Sequence, residues 1–429
     1  MNQYCSILML LIKNYYIQSY MQLKLFFSKF FLLASTNVLG MLASFGVLLV
    51  ILSVYGTEGL GRIYLVFAVL QYCVLFSGNG IENYIIREVS SKRLLLKPMI
   101  TSLFVIRFSA AFFIYLLLLI SIQIIPSFSE QASLLMITGL TLFVMSFRTT
   151  WVAQAQQQSH ILGYFNLGLD LSFFLAVLVT TLIPVSLESI IWLKLATEIL
   201  ATLILFLWTN KTFGPLQKPL PWHGLKGLMH KSWHFTFYPV LRCFAIGSDL
   251  ILLSFFVTTI EVGLYTGASK IFFTLLALAA AYIVIIYPRL SELSTGKLTH
   301  LTKELMKYYK VMMPLAIIGA LILIVFSEFI LVLLFGEEFI VVTSSLQMLA
   351  IAFIANFLGR HYRQVLLVTR NQKHDLRIVF FSSVTHVLAK VIFIPLMGIS
   401  GAALGTAIGE IVMLIAYIII YFHLFKKRH

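Results

Sequence analysis

Three charged side chains stand inside one apolar stretch. Residues 230–270 read HKSWHFTFYPVLRCFAIGSDLILLSFFVTTIEVGLYTGASK and contain Arg242, Asp249 and Lys270. Arg242 and Asp249 are seven residues apart, and about two helical turns would put them on one face. A charge at the centre of a bilayer costs about 2.5–3.5 kcal/mol on insertion scales, so such residues face a bundle interior or a wet cavity. The same argument picks out Arg107, Arg148 and Lys390 as deep cations, and Asp170 and Glu410 as further deep acids. Arg87, Arg360 and Arg363 fall near span ends, where long cationic side chains ordinarily snorkel to headgroups. Lys194 and Glu198 are four residues apart, the spacing of a structural ion pair on one helix. A pairing of Asp249 with Arg242 is the bland alternative to a functional role for either. The stretch reads as one wall of a charged, water-filled path.

The elements that carry these charges are membrane helices. Of 429 residues, 60% are hydrophobic and only 11% charged, against about 25% charged in a soluble domain. No polar stretch is long enough for an appended soluble domain. Twelve apolar spans are expected, at about 30–55, 63–86, 99–124, 131–152, 162–184, 187–208, 233–257, 262–287, 311–335, 340–368, 376–397 and 401–424. Open sheet edges are forbidden in lipid, and the runs are too continuous for a barrel, so the spans are helices.

The net charge of +15 is explained by loop charge bias rather than by nucleic-acid binding. Lys92, Arg93 and Lys97 follow span two, Lys211, Lys218, Lys226 and Lys231 span six, and Arg289, Lys297, Lys303, Lys307 and Lys310 span eight. Arg370, Lys373 and Arg377 follow span ten, and Lys426, Lys427 and Arg428 close the chain. The opposite loops carry Glu58, Glu130, Glu188, Glu261, Glu337 and Glu338, with Arg62 their one clear basic residue. Both termini are therefore expected in the cytoplasm.

Residues 1–28 read as an N-terminal tail, with Met21 a possible native start, and 425–429 as a basic tail. The polar, Pro- and Gly-containing segment 210–231 reads as a cytoplasmic linker between an N-lobe at 29–209 and a C-lobe at 232–424. A weak repeat supports the division. YGTEGLGRIY ends span one and VTTIEVGLY ends span seven, each an acidic turn running into a Gly-started helix. Duplicated halves around a path are typical of secondary transporters. Cys5, Cys73 and Cys243 suggest neither a disulfide framework nor a metal site. No Walker motif, HExxH or Cys/His cluster appears. GISGAALGTAIG offers small residues for close helix packing. Tyr238 and Trp233 are aromatics that could stack on sugars.

Several segments together resemble one family. GTEGLGRIYLVF, GIENYIIREVS, SDLILLSFFVTTIEVGLYTGASKI, LFGEEFIVVTSSLQMLAIAF, RQVLLVTRNQK and GISGAALGTAIGE are similar in order and spacing to the O-antigen flippase type of the multidrug/oligosaccharidyl-lipid/polysaccharide exporter superfamily. The resemblance covers nearly the whole chain after Phe30. It implies two six-helix lobes, as in MATE transporters, around a central cavity. It also implies a cargo of undecaprenyl diphosphate bearing an oligosaccharide repeat, moved from the cytoplasmic to the periplasmic leaflet of the bacterial inner membrane.

The residues fit such a cargo. A diphosphate in a low-dielectric cavity wants Arg and Lys, and Arg can grip phosphate in a bidentate manner. Arg107, Arg148, Arg242, Lys270 and Lys390 are the candidates for that role, and Arg87, Arg360 and Arg363 for the cytoplasmic entrance. Asp249, Glu410 and Asp170 are candidates for coupling to H+ or Na+. No other cofactor is expected. Partners would be the lipid-linked oligosaccharide, membrane lipids, and a polysaccharide polymerase with its chain-length regulator. Three other readings compete. A peptidoglycan-precursor flippase would have about fourteen spans, against the twelve expected here. A drug exporter of organic cations would want a cavity dominated by acids and aromatics, whereas the deep charges here are mainly basic. A polysaccharide polymerase or ligase would want a long outer loop, and the outer loops here are short.

Overall fold

The computed structural model describes the backbone of residues 2–91, 95–156, 158–183, 185–293, 298–369 and 371–425. Within these, side-chain surroundings are described from 35 to 424, apart from 79, 159, 233–236, 281–305, 308 and 311. Trp233 and many expected loop cations, among them Arg289, Lys297 and Lys303, lie outside the described side chains.

The described residues are helical with short connections. In the first half the helices are α1 (Asn2–Phe76), α2 (Asn79–Ser90), α3 (Leu96–Ile124), α4 (Pro126–Ser129), α5 (Ala132–Ser146), α6 (Thr150–Ala155), α7 (Ser159–Val179) and α8 (Leu187–Phe213). In the second they are α9 (Trp222–Ile246), α10 (Asp249–Leu253), α11 (Thr259–Leu293), α12 (Leu298–Val325), α13 (Ser327–Phe335), α14 (Thr343–Val368), α15 (Gln372–Met397) and α16 (Ile399–Phe425).

Helix α1 is two arms. Gly56 has φ 67° and ψ −172° inside it, a left-handed φ that suits glycine. Beyond that point the chain turns back. Ser44 and Tyr64 both reach Lys270, and Gly46 and Phe67 reach the adjacent Phe174 and Phe173. Along a straight helix, positions 44 and 64 would stand about 30 Å apart.

Among the described residues nine helices are long and apolar enough to cross a membrane, or ten if Met312–Val325 and Ser327–Phe335, bent by 76°, form one broken span. That count takes α1 once and leaves out the short apolar helix Phe237–Ile246. The protein is thus an all-helical, multi-pass membrane protein. The segment expected as a linker is mostly helical: α8 continues to Phe213, and α9 already starts at Trp222. Between them, residues 214–221 lie on the start of α3. Thr101 donates to the Gln217 carbonyl at 2.6 Å, and the Leu220 amide donates to Ser102 Oγ at 2.9 Å.

The two halves pack through α1 and α2 on one side and α9 to α11 on the other. One apolar core runs across the junction, joining Leu48, Ile51 and Leu60 to Tyr265, Phe272 and Leu349. A second core joins Ile85, Met99 and Trp151 to Leu225 and Leu228 at the start of α9. The start of α11 is fixed locally by a capping box. Glu261 accepts from the Thr258 amide at 2.9 Å and hydroxyl at 2.8 Å, and its own amide donates back to Thr258 Oγ1 at 3.3 Å.

Candidate functional site

An open cavity of about 600 Å³ lies at the junction. Its charged lining is Lys194 and Glu198 from α8 and Arg242 from α9, with Gln71, Pro239 and Phe273 around them. Counted along their helices, these residues stand well inside the apolar segments. A second cavity of about 520 Å³ lies between α1, α7 and α11. Asp170 and Lys270 supply its charges, and Asn37, Ser44 and Asn166 are among its polar lining. Phe273 lines both cavities.

Arg148 is brought to the central cavity's edge by the break between α5 and α6. It forms an ion pair with Glu198 and stands over the Phe165 ring at 5.4 Å. Glu198 also holds Lys194, at 3.1 Å. The expected pair is therefore present, but it belongs to a triad with two cations and one carboxylate. Two cations on a single acid leave positive charge at the wall.

Arg242 reaches Glu410 Oε1 at 3.4 Å and Met413 Sδ at 3.3 Å. Glu410 is fully buried and accepts from Asn356 Nδ2 at 2.9 Å. Asn356 in turn accepts from Arg360 Nε at 2.7 Å. Arg363 pairs with Asp375 at 3.1 Å and lies over Tyr238 at 4.6 Å, while Tyr417 donates to Asp375 at 2.6 Å. Arg87 pairs with the adjacent Glu88 at 2.7 Å and is more than half exposed. Arg107 is buried, 3.5 Å from Glu82 and 3.5 Å from the Arg148 carbonyl. Lys270 donates to Ser44 Oγ at 2.6 Å.

Asp249 and Lys390 form a separate buried centre. Lys390 pairs with Asp249 and donates to the Ala245 carbonyl at 2.6 Å. Tyr265 donates to Asp249 at 2.5 Å. The shared face expected for Arg242 and Asp249, and their pairing, are not what the fold provides. Helix α9 ends at Ile246, Gly247 and Ser248 intervene, and Asp249 begins a new helix. A seven-residue spacing loses its meaning across that break.

The family model described as polysaccharide biosynthesis protein matches residues 26–294, well over half of the chain. The chain belongs to this family. No curated protein matches it by sequence. Its fold is similar to that of a lipid II flippase MurJ in an inward closed conformation, with a TM-score of 0.74 and 13% identity over 90% of this chain and 85% of that one. It is also similar to an inward-facing multidrug resistance MATE family transporter of the MOP superfamily, with a TM-score of 0.68 and 14% identity over 90% and 95% of the two chains. A mutant of the Vibrio cholerae MATE transporter VcmN aligns with a TM-score of 0.62 and 14% identity over 93% and 97%. At such identities the likeness is one of fold.

Asn356, His386, Glu82 and Tyr265 also join these charge clusters, although they are not among the candidates that the sequence singles out. None forms a motif with its partner. Glu82 is 25 residues from Arg107, and Asn356 is 54 from Glu410. Their polar character inside apolar helices was the available signal.

Proposed function

We propose that the protein is a flippase for undecaprenyl-diphosphate-linked oligosaccharide repeat units of the O-antigen or capsule type. It carries them from the cytoplasmic to the periplasmic leaflet of the bacterial inner membrane by alternating access of two six-helix lobes, with both termini cytoplasmic. The observation that carries this reading is the cavity between the halves, where Arg242 and Lys194 come from opposite lobes. A diphosphate bridging these two cations would be held by both halves, and the prenyl tail would stay in lipid. The adjoining cavity, with Asn37, Asn166 and Ser44, offers amide and hydroxyl groups suited to a glycan. Membership of the polysaccharide biosynthesis family supports the substrate class. Gradient coupling would use one of the three intramembrane acids: Asp249 or Glu410, both buried, or the half-buried Asp170. A polymerase and its chain-length regulator would consume the product.

A clean deletion in the source bacterium tests the reading, with lipid-linked intermediates assayed in each leaflet. Complete repeat units accumulating on the cytoplasmic face, with surface polysaccharide lost, are the expected result. Unchanged surface glycan with raised drug sensitivity would replace this reading with the exporter. Unpolymerised units on the periplasmic face would replace it with a polymerase.

A further inference from the structure

His386 of α15 is fully buried, and neither of its ring nitrogens has a hydrogen-bond partner among the described residues. Buried imidazoles are normally satisfied, so an orphaned one asks for a reason. Its Nε2 lies 3.7 Å from Glu410 Oε1. The ring is pressed against α16, because a Cβ on Gly409 would run into it.

We infer that the His386–Glu410 pair takes up a proton when Arg242 turns to an anion in the central cavity. The inference rests on the reading of that cavity as a diphosphate site. Among the described residues, Arg242 is the cation that both touches Glu410 and lines the cavity. Its contact with Glu410 is long, at 3.4 Å, and its other partner is the neutral thioether of Met413, at 3.3 Å. A diphosphate, with paired oxygens matching the guanidinium fork, competes well for it.

Once Arg242 turns away, Glu410 is left buried with Asn356, and with the charge of Arg360 acting on it only from beyond that amide; a buried carboxylate that loses its direct counter-charge is disfavoured. The other charged groups around His386 are already committed. On α14, Arg360 is bound to Asn356 Oδ1. On α15 itself, Lys390, one turn further on, is held by Asp249 and the Ala245 carbonyl. From α9 the facing charge is Arg242, and from α16 it is Glu410. His386, with its Nε2 3.7 Å from Glu410, is therefore the nearest group able to take up a proton beside the uncompensated charge. By linkage, anion binding and protonation strengthen one another. A proton carried outward with the cargo would oppose an inward proton gradient, so with the pair in this role the coupling acid of the proposed function is Asp170 or Asp249.

Calorimetry on the purified full chain tests this. The probe is a short-chain prenyl diphosphate monosaccharide, a diester whose phosphates stay ionised at neutral pH and release no protons of their own. Binding heats in two buffers of different ionisation enthalpy give the protons taken up. Wild type should take up about one proton per ligand. His386→Gln should bind with almost none, and Glu410→Gln should behave likewise and carries the test if the first variant fails to fold. Binding to wild type without proton uptake overturns the inference, as does uptake that persists in both variants. Wild type that does not bind the probe brings down the diphosphate reading itself.

Discussion

Gly61 and Gly263 stand in reciprocal contact across the junction of the two halves. A Cβ on Gly61 would collide with the Thr259 carbonyl oxygen, and a Cβ on Gly263 with the Thr57 carbonyl oxygen. Each glycine follows its own threonine by four residues, so the two sites are copies of one arrangement. The weak repeat in YGTEGLGRIY and VTTIEVGLY thus becomes a backbone-on-backbone crossing.

Gly61→Ala and Gly263→Ala should each force the helices apart. The obstacle is a main-chain carbonyl, which has no rotamer to yield. The expected loss is about 1–3 kcal/mol, the usual cost of overpacking, read as a lower melting temperature in detergent with reduced transport. Gly319→Ala is the control, since its Cβ would meet nothing within 4 Å. Equal melting of all three variants would refute the crossing.

Lys390 and Asp249 should behave as one unit. Lys390→Met alone leaves a buried carboxylate unpaired, which costs about 3–5 kcal/mol. Adding Asp249→Asn should recover most of that loss. Thermal unfolding of the two single variants and the double variant gives the coupling; simple additivity would mean that the pair is not coupled in the folded protein.

Arg242→Ala should lower transport by about ten- to a hundredfold, the worth of a hydrogen bond to a charged group. Arg242→Lys should fall between, because an ammonium keeps the charge and loses the fork. Transport of labelled glycolipid by membrane vesicles measures both. A lysine variant as inactive as the alanine variant would tie the role to shape rather than charge.

Cys243 lines the central cavity and Cys73 does not, and both are free thiols. A charged, membrane-impermeant thiosulfonate should therefore modify Cys243 in preference to Cys73 in a Cys5→Ser background, with mass spectrometry locating the adduct. Equal labelling of both would argue against an aqueous route to Arg242, one helical position away.

The amino-acid order was enough to define the material and the local geometry. Long apolar runs with few charges can only be membrane helices, and the i,i+4 spacing of Lys194 and Glu198 survived because it lies inside one unbroken helix, α8. The deep charges were legible for the same reason, since an ion in an apolar run is conspicuous wherever it points. Their partners were set by how the helices pack. Glu198 gained Arg148 from 50 residues away, Arg242 took Glu410 from 168 residues away, and Asp249 took Lys390 on α15. Gly56 ends a helix where periodicity would continue it, and the chain is interrupted again at Gly247 and Ser248, just before Asp249. Periodicity fixes neighbours only within a helix, whereas a buried charge takes whichever counter-charge the packing of helices delivers.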